Sequence, residues 1–199
     1  MKKVKTKINI ICSLVWIGVL VIFDQFTKYL AVVRLKGQAP FALIPDVFEL
    51  RYLENNSAAF GIDLISILQR IFHFSYFTEH PEAFLNFKMS FFVAITVVVV
   101  VLLYLLYLKI PQNRRFRYLN WIIIAFISGA IGNCIDRMVN RYVVDFFYFK
   151  LINFPIFNVA DIYVTVSAVA LILLFLFYYQ EADFEQIFPS RKQRESHES

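Results

Sequence analysis

The sequence predicts an all-α integral membrane protein, a four-helix transmembrane bundle, and three observations carry that prediction. Apolar residues make up 59% of the 199-residue chain and charged residues only 18%, against roughly 45–50% and 25% in an average soluble domain. The mean hydropathy is +0.61, and four apolar runs are long enough to cross ~30 Å of hydrocarbon, which takes about 20 residues. Lysine and arginine, finally, gather in segments that fall on one side of a four-span chain, as the positive-inside rule requires.

The spans are expected at about residues 8–33, 90–108, 119–134 and 159–179, in one integral membrane domain covering 1–199. The first begins like a signal peptide, with a basic start and an apolar run. No A-x-A-like site follows, however, and the run continues through Asp24-Gln-Phe-Thr-Lys28, so it reads as a retained span. Lys2, Lys3, Lys5 and Lys7 precede it; Lys109, Arg114, Arg115 and Arg117 fill the short loop between spans two and three; Arg191, Lys192 and Arg194 lie in the tail of about 180–199. Both termini are therefore expected in the cytoplasm. The formal charge of +5 reads as membrane topology, and no nucleic-acid partner is expected.

The insertion at about 34–89 then faces outward. Val47-Phe-Glu-Leu-Arg-Tyr-Leu53 alternates in the manner of a half-exposed strand. Residues 62–76 instead place Leu64, Ile67, Leu68, Ile71 and Phe72 on one helical face and Asp63, Ser66, Arg70 and His73 on the other. That pattern predicts an amphipathic helix in the membrane interface, with a core helix of a small outer domain as the alternative.

Several chemistries are excluded. The three histidines are scattered, Cys12 and Cys134 read as small buried residues, and HExxH, CxxC, Walker and GxGxxG patterns are missing. No metal or cofactor is expected. No paired serine and histidine suits a rhomboid-type protease.

Ionisable residues in or beside a span are costly and usually mark function, and here they converge at the outer ends of spans one, three and four. Asp24 and Lys28 are spaced i, i+4, which also suits a simple ion pair. In Ser128-Gly-Ala-Ile-Gly-Asn-Cys-Ile-Asp-Arg137, the small residues permit close helix packing, while Asn133, Asp136 and Arg137 share one face. Asp145 lies among valines and aromatics. Asn158 and Asp161 have the spacing of an N-cap and its N3 partner. Two carboxylates meeting at a dry boundary share a proton, so that one activates water while the other protonates the leaving group. Asp145 and Asp161 form the candidate pair, and Asp136 competes for either place. The alternative is a small transporter or assembly subunit whose aspartates bind protons or ions, although the chain lacks the internal repeats of most transporters.

Five motifs resemble those of the bacterial type II lipoprotein signal peptidases: Asp24-Gln-Phe-Thr-Lys28, Asn55-Asn-Ser-Ala-Ala-Phe-Gly61, Gly129-Ala-Ile-Gly-Asn-Cys-Ile-Asp-Arg137, Val143-Val-Asp-Phe146 and Phe157-Asn-Val-Ala-Asp161. They follow the family's order from the first span to the last. The resemblance implies an aspartyl endopeptidase of the bacterial inner membrane that removes signal peptides from diacylglyceryl-modified prolipoproteins, on the N-terminal side of the lipidated cysteine. It places Asp145 and Asp161 in the catalytic positions and Asp24, Lys28, Asn55, Asn133, Arg137 and Asn158 in supporting or substrate-contacting ones. Asp136 takes the place of a buried organising residue. It further implies a small extracytoplasmic sheet cradling the substrate, an active site near the outer leaflet, contact with membrane lipids and inhibition by globomycin-type cyclic peptides; a monomer is expected. Ser57 and Arg141 stand where the family commonly has glycine, the interval from Asp145 to Asp161 is slightly short, and residues 63–88 form a longer stretch than in many members.

Overall fold

The structure, a computed structural model, describes residues 7–57, 64–72 and 75–188. Four of its helices are long and apolar enough to cross a membrane: α1 (Lys7–Leu35), α4 (Pro81–Lys109), α5 (Arg117–Asn140) and α6 (Val159–Phe177). At 1.5 Å per residue, the 29 residues of α1 and of α4 reach ~43 Å, beyond the ~30 Å of a hydrocarbon core. α4 begins at Pro81, well before its apolar run opens at Ser90, because proline at the first turn loses no hydrogen bond.

α5 is the central helix. Half of its most apolar stretch is buried, against 6–17% for the other three. Ile123, Ile124 and Ile127 pack there with Ile17 of α1 and Tyr107 of α4. The outer helices leave Val98, Leu102, Val166 and Leu176 exposed, a belt of apolar surface too large for water and suited to lipid. Glycines let the helices close on α5. A Cβ on Gly129 would lie 2.5 Å from the main-chain oxygen of Ala160 in α6, and one on Gly132 would collide with the Asp24 carboxylate of α1. α5 ends at Arg141, whose φ of 65° is left-handed and whose N–H bonds the Arg137 carbonyl. A glycine would adopt that C-cap freely, whereas a side chain there costs about 1 kcal/mol.

Three antiparallel strands form a small sheet in the order β1 (Phe41–Ile44), β2 (Phe48–Asn55), β3 (Val143–Phe149). The structure makes Asp145 a strand residue opposite Leu53. Val143, Val144, Asp145 and Phe146 are all buried, so this strand is covered on both faces and lacks the alternation that would reveal it. Beneath it, Val144 and Phe146 pack with Ala31 of α1 and Val159 of α6.

Within 62–76 the described residues are helical, in α2 (Leu64–Phe72) and at the start of α3 (Ser75–Glu79); residues 62, 63, 73 and 74 lie outside the described part. Ile67, Leu68 and Ile71 are exposed, and Ile65 and Leu68 line a cavity of about 210 Å³ with Phe77, Phe84, Phe87 and Phe91. The tail folds back as α7 (Glu181–Ile187), held by a 2.7 Å ion pair from Arg115 to Asp183. Cys134 is buried as expected, but Cys12 is exposed, because α1 packs through the face bearing Ser13, Ile17, Asp24, Lys28 and Ala31.

Candidate active site

Asp145 on β3 and Asp161 in the first turn of α6 line one cavity of about 210 Å³ together with Asn55, Asn133 and Arg137. Asn158 binds to both carboxylates. As the N-cap of α6, its Oδ1 accepts from the Asp161 N–H at 3.0 Å, and its own N–H donates to Asp161 Oδ2 at 3.1 Å, which completes a reciprocal capping box. Its Nδ2 donates to Asp145 Oδ1 at 2.6 Å. The cap and the candidate catalytic role, alternatives at the sequence level, are thus compatible in one helix turn. Asn55 Nδ2 donates to the other oxygen of Asp145 at 2.8 Å, and Asn133 Nδ2 donates to Asp161 Oδ1 at 2.8 Å.

Each aspartate therefore accepts one amide donor on each oxygen, and both residues line the cavity. Burial pushes the Asp145 carboxyl up to about 7, and the neighbouring charge of Asp161 adds to the rise. One proton held between two such carboxylates is the arrangement that activates water at neutral pH.

Lys28 anchors the layer behind the pair. Its three N–H donors meet three acceptors: Asp24 Oδ2 at 2.9 Å, Asp136 Oδ2 at 3.1 Å and Asn133 Oδ1 at 2.9 Å. Asn133 Oδ1 also accepts from Asn158 Nδ2 at 3.1 Å. Turning the Asn133 amide over would set its NH₂ against an ammonium, so Lys28 determines which end of Asn133 faces Asp161. Asp24 is wholly buried and its Oδ1 accepts from the Ala160 N–H at 2.9 Å, which ties α1 to the start of α6. Asp136 Oδ2 accepts from the Val144 N–H at 3.1 Å and so holds β3 against α5. Asp24, Lys28 and Asp136 do not line the cavity; they position the groups that do.

Arg137 does line it. Nη1 donates to the Asn133 carbonyl at 3.3 Å, the guanidinium lies 5.4 Å from the Phe92 ring centre, and its buried Nε has no partner among the described residues. Sequence reasoning assigned no role to Gln25, although it lies in a quoted motif; its Nε2 bonds Asp136 Oδ1 at 3.0 Å and the Gly132 carbonyl at 3.1 Å. It also missed Ile95, Thr96, Val99, Phe126 and Val164, which form part of the cavity wall. Their apolar surroundings carry no signal that separates a cavity wall from a lipid-facing position.

A bundle of four helices able to cross a membrane, capped by a short sheet and enclosing two carboxylates that both bond Asn158, defines a polytopic membrane protein with a buried paired-carboxylate site. Comparison with known proteins narrows the class. The family described as signal peptidase (SPase) II matches residues 16–177. The chain is 37% identical to the lipoprotein signal peptidase of Caldanaerobacter subterraneus subsp. tengcongensis over 166 residues, covering 83% of this chain and 96% of that one. It is 38% identical to the protein of that name from Brevibacillus brevis, over 78% of this chain and 89% of that one. Two solved bacterial membrane enzymes superpose with TM-scores of 0.67 and 0.66 at 30% and 29% identity, covering 88% and 90% of this chain and 92% and 99% of theirs. The chain belongs to the signal peptidase II family. It is accordingly a peptidase and a multi-pass bacterial membrane protein.

Proposed function

We propose that this peptidase is an aspartyl endopeptidase that cleaves diacylglyceryl-modified prolipoproteins on the N-terminal side of the lipidated cysteine. The coarser activity, removal of signal peptides from prolipoproteins, follows from the family. The finer reading rests on one observation: Asp145 and Asp161 line a common cavity and are both held by Asn158. In this reading the ionised member takes a proton from water as its oxygen adds to the scissile carbonyl carbon. The protonated member gives its proton to the carbonyl oxygen. Collapse of the tetrahedral intermediate then breaks the C–N bond, and a proton passes to the leaving amine. Arg137 lines the same cavity, which supports a role for its guanidinium in holding a substrate carbonyl.

Ile95, Thr96 and Val99 of α4 form part of the cavity wall, which supports entry sideways from the bilayer by a substrate whose lipid stays in the membrane. The basic segments support cytoplasmic termini and a site near the outer leaflet. A reporter active only in the cytoplasm should work when fused after Gln112 and fail when fused between Glu79 and Glu82; the reverse result refutes that orientation. The decisive assay incubates purified protein with a prolipoprotein bearing or lacking the diacylglyceryl group and identifies the product N-terminus. Cleavage before the modified cysteine, with little turnover of the unmodified precursor, is expected. Equal turnover of both precursors overturns the substrate assignment.

A further inference from the structure

A second cavity, of about 280 Å³, opens at the far end of the bundle, between the start of α1, the α4–α5 turn and the start of α5. Asn120, on its wall, lies 13 residues before Asn133 of the aspartate site in the same helix, or ~20 Å away along the axis. The two ends of the bundle therefore carry separate cavities.

Its lining is graded. Arg114, Arg117 and Gln112 stand on the polar side, and Trp16, Trp121 and Ile124 on the apolar side. The indole rings meet edge-on, with centres 5.3 Å apart, and both tryptophans remain 46% exposed. Tryptophan pairs of this kind belong at the membrane–water boundary. The three arginines of this turn are used differently. Arg115 is engaged by Asp183 at 2.7 Å and by the Tyr178 carbonyl. Arg114 and Arg117 are exposed, and neither meets a carboxylate among the described residues, Arg117 Nη2 donating only to the neighbouring Tyr118 hydroxyl at 3.1 Å. The Arg117 N–H bonds the Arg114 carbonyl, which folds both residues into one turn at the cavity rim.

We infer that this cavity binds the headgroup of an anionic phospholipid from the leaflet on the side of the termini, with the phosphate between Arg114 and Arg117 and an acyl chain along Trp16 and Trp121. Guanidinium forks match phosphate oxygens, and basic pockets between membrane helices at this depth recognise anionic lipids. The apolar side favours a lipid over a soluble phosphate, because an inorganic ion leaves the indoles and Ile124 without a partner. The assignment is independent of the peptidase reading.

Trp16 and Trp121 are the chain's two tryptophans, so intrinsic fluorescence reports on this cavity. The full-length protein is reconstituted in phosphatidylcholine vesicles containing rising fractions of bromine-labelled phosphatidylglycerol or bromine-labelled phosphatidylcholine. Half-maximal quenching should need about tenfold less of the anionic lipid. R114Q/R117Q should bring the two curves together, R114K/R117K should keep most of the difference, and K109Q, outside the cavity, should leave it intact. Circular dichroism verifies that each variant is folded. Equal quenching by both lipids in the unaltered protein overturns the proposal, as does a preference that survives R114Q/R117Q. Displacement of the anionic lipid by millimolar inorganic phosphate would also overturn it, since the cavity would then take a soluble anion.

Discussion

The two ends of the bundle solve opposite problems with similar residues. At the sheet end, Lys28 and its partners Asp24 and Asp136 are almost wholly buried, with side chains 0–3% exposed. Every donor of the ammonium is matched, and the chain of contacts runs through Asn133 to Asp161. At the other end, the Arg115 side chain of the Arg115–Asp183 pair is 37% exposed, and the pair fastens a short terminal helix onto an aromatic and aliphatic core. A buried ionic group left without its partner is strongly destabilising, whereas an exposed pair is screened and adds little. The sheet end thus holds its geometry by making each charge depend on the next, and the opposite end tolerates looser pairing because little chemistry depends on it.

The comparison breaks most completely at the aspartates. D145N and D161N should each lower cleavage of diacylated precursor by at least about 10³-fold while the protein still inserts in the membrane. An isosteric amide removes the ionisable proton, and turns one accepted hydrogen bond into a donor–donor contact, so a stability loss of about 1–3 kcal/mol accompanies it. Wild-type turnover by either variant would exclude the pair.

K28M comes next. It strands Asp24 and Asp136 in the interior and should cost about 3–5 kcal/mol, read as a large fall in Tm in detergent. R115Q should lower Tm by much less, with cleavage retained. If R115Q proved as damaging as K28M, the contrast between the two ends would fail.

The smallest effect sharpens the comparison through pH. Asp145 is held up to about 7, and the proposed mechanism needs one protonated member of the pair. The rate should therefore fall as pH rises through about 7. The Asn55 amide N–H favours the charged form of Asp145. N55A should consequently raise the Asp145 carboxyl further and move the alkaline limb to higher pH, by up to about one pH unit. A limb that stays in place would show that the descending side belongs to another group.

Length and hydropathy made the four helices readable, and isolation among apolar neighbours singled out Asp145. The spacing of Asn158 and Asp161 announced the helix start. Other features left no trace in the chain. A strand buried on both faces has no alternation, so β3 was hidden in Val143-Val-Asp-Phe-Phe147. The same lack of contrast concealed the outward placement of Cys12, since lipid-facing and protein-facing positions are equally apolar. Gln25 and Thr96 were missed because an uncharged polar residue in a span reveals nothing of which helix it meets.

The pairing of Phe147 with Phe157 has a consequence for how the chain varies. Two reciprocal bonds, at 2.8 and 3.0 Å, close the segment between them into a loop, with a 3-10 turn at Lys150–Ile152 inside it. Asp145 lies upstream of that clasp and Asn158 immediately downstream, so the spacing of the aspartates through space is independent of the number of residues in the loop. Insertions and deletions beyond Phe149, the last residue of β3, change the size of the loop, and an interval from Asp145 to Asp161 shorter than usual leaves the two carboxylates in register.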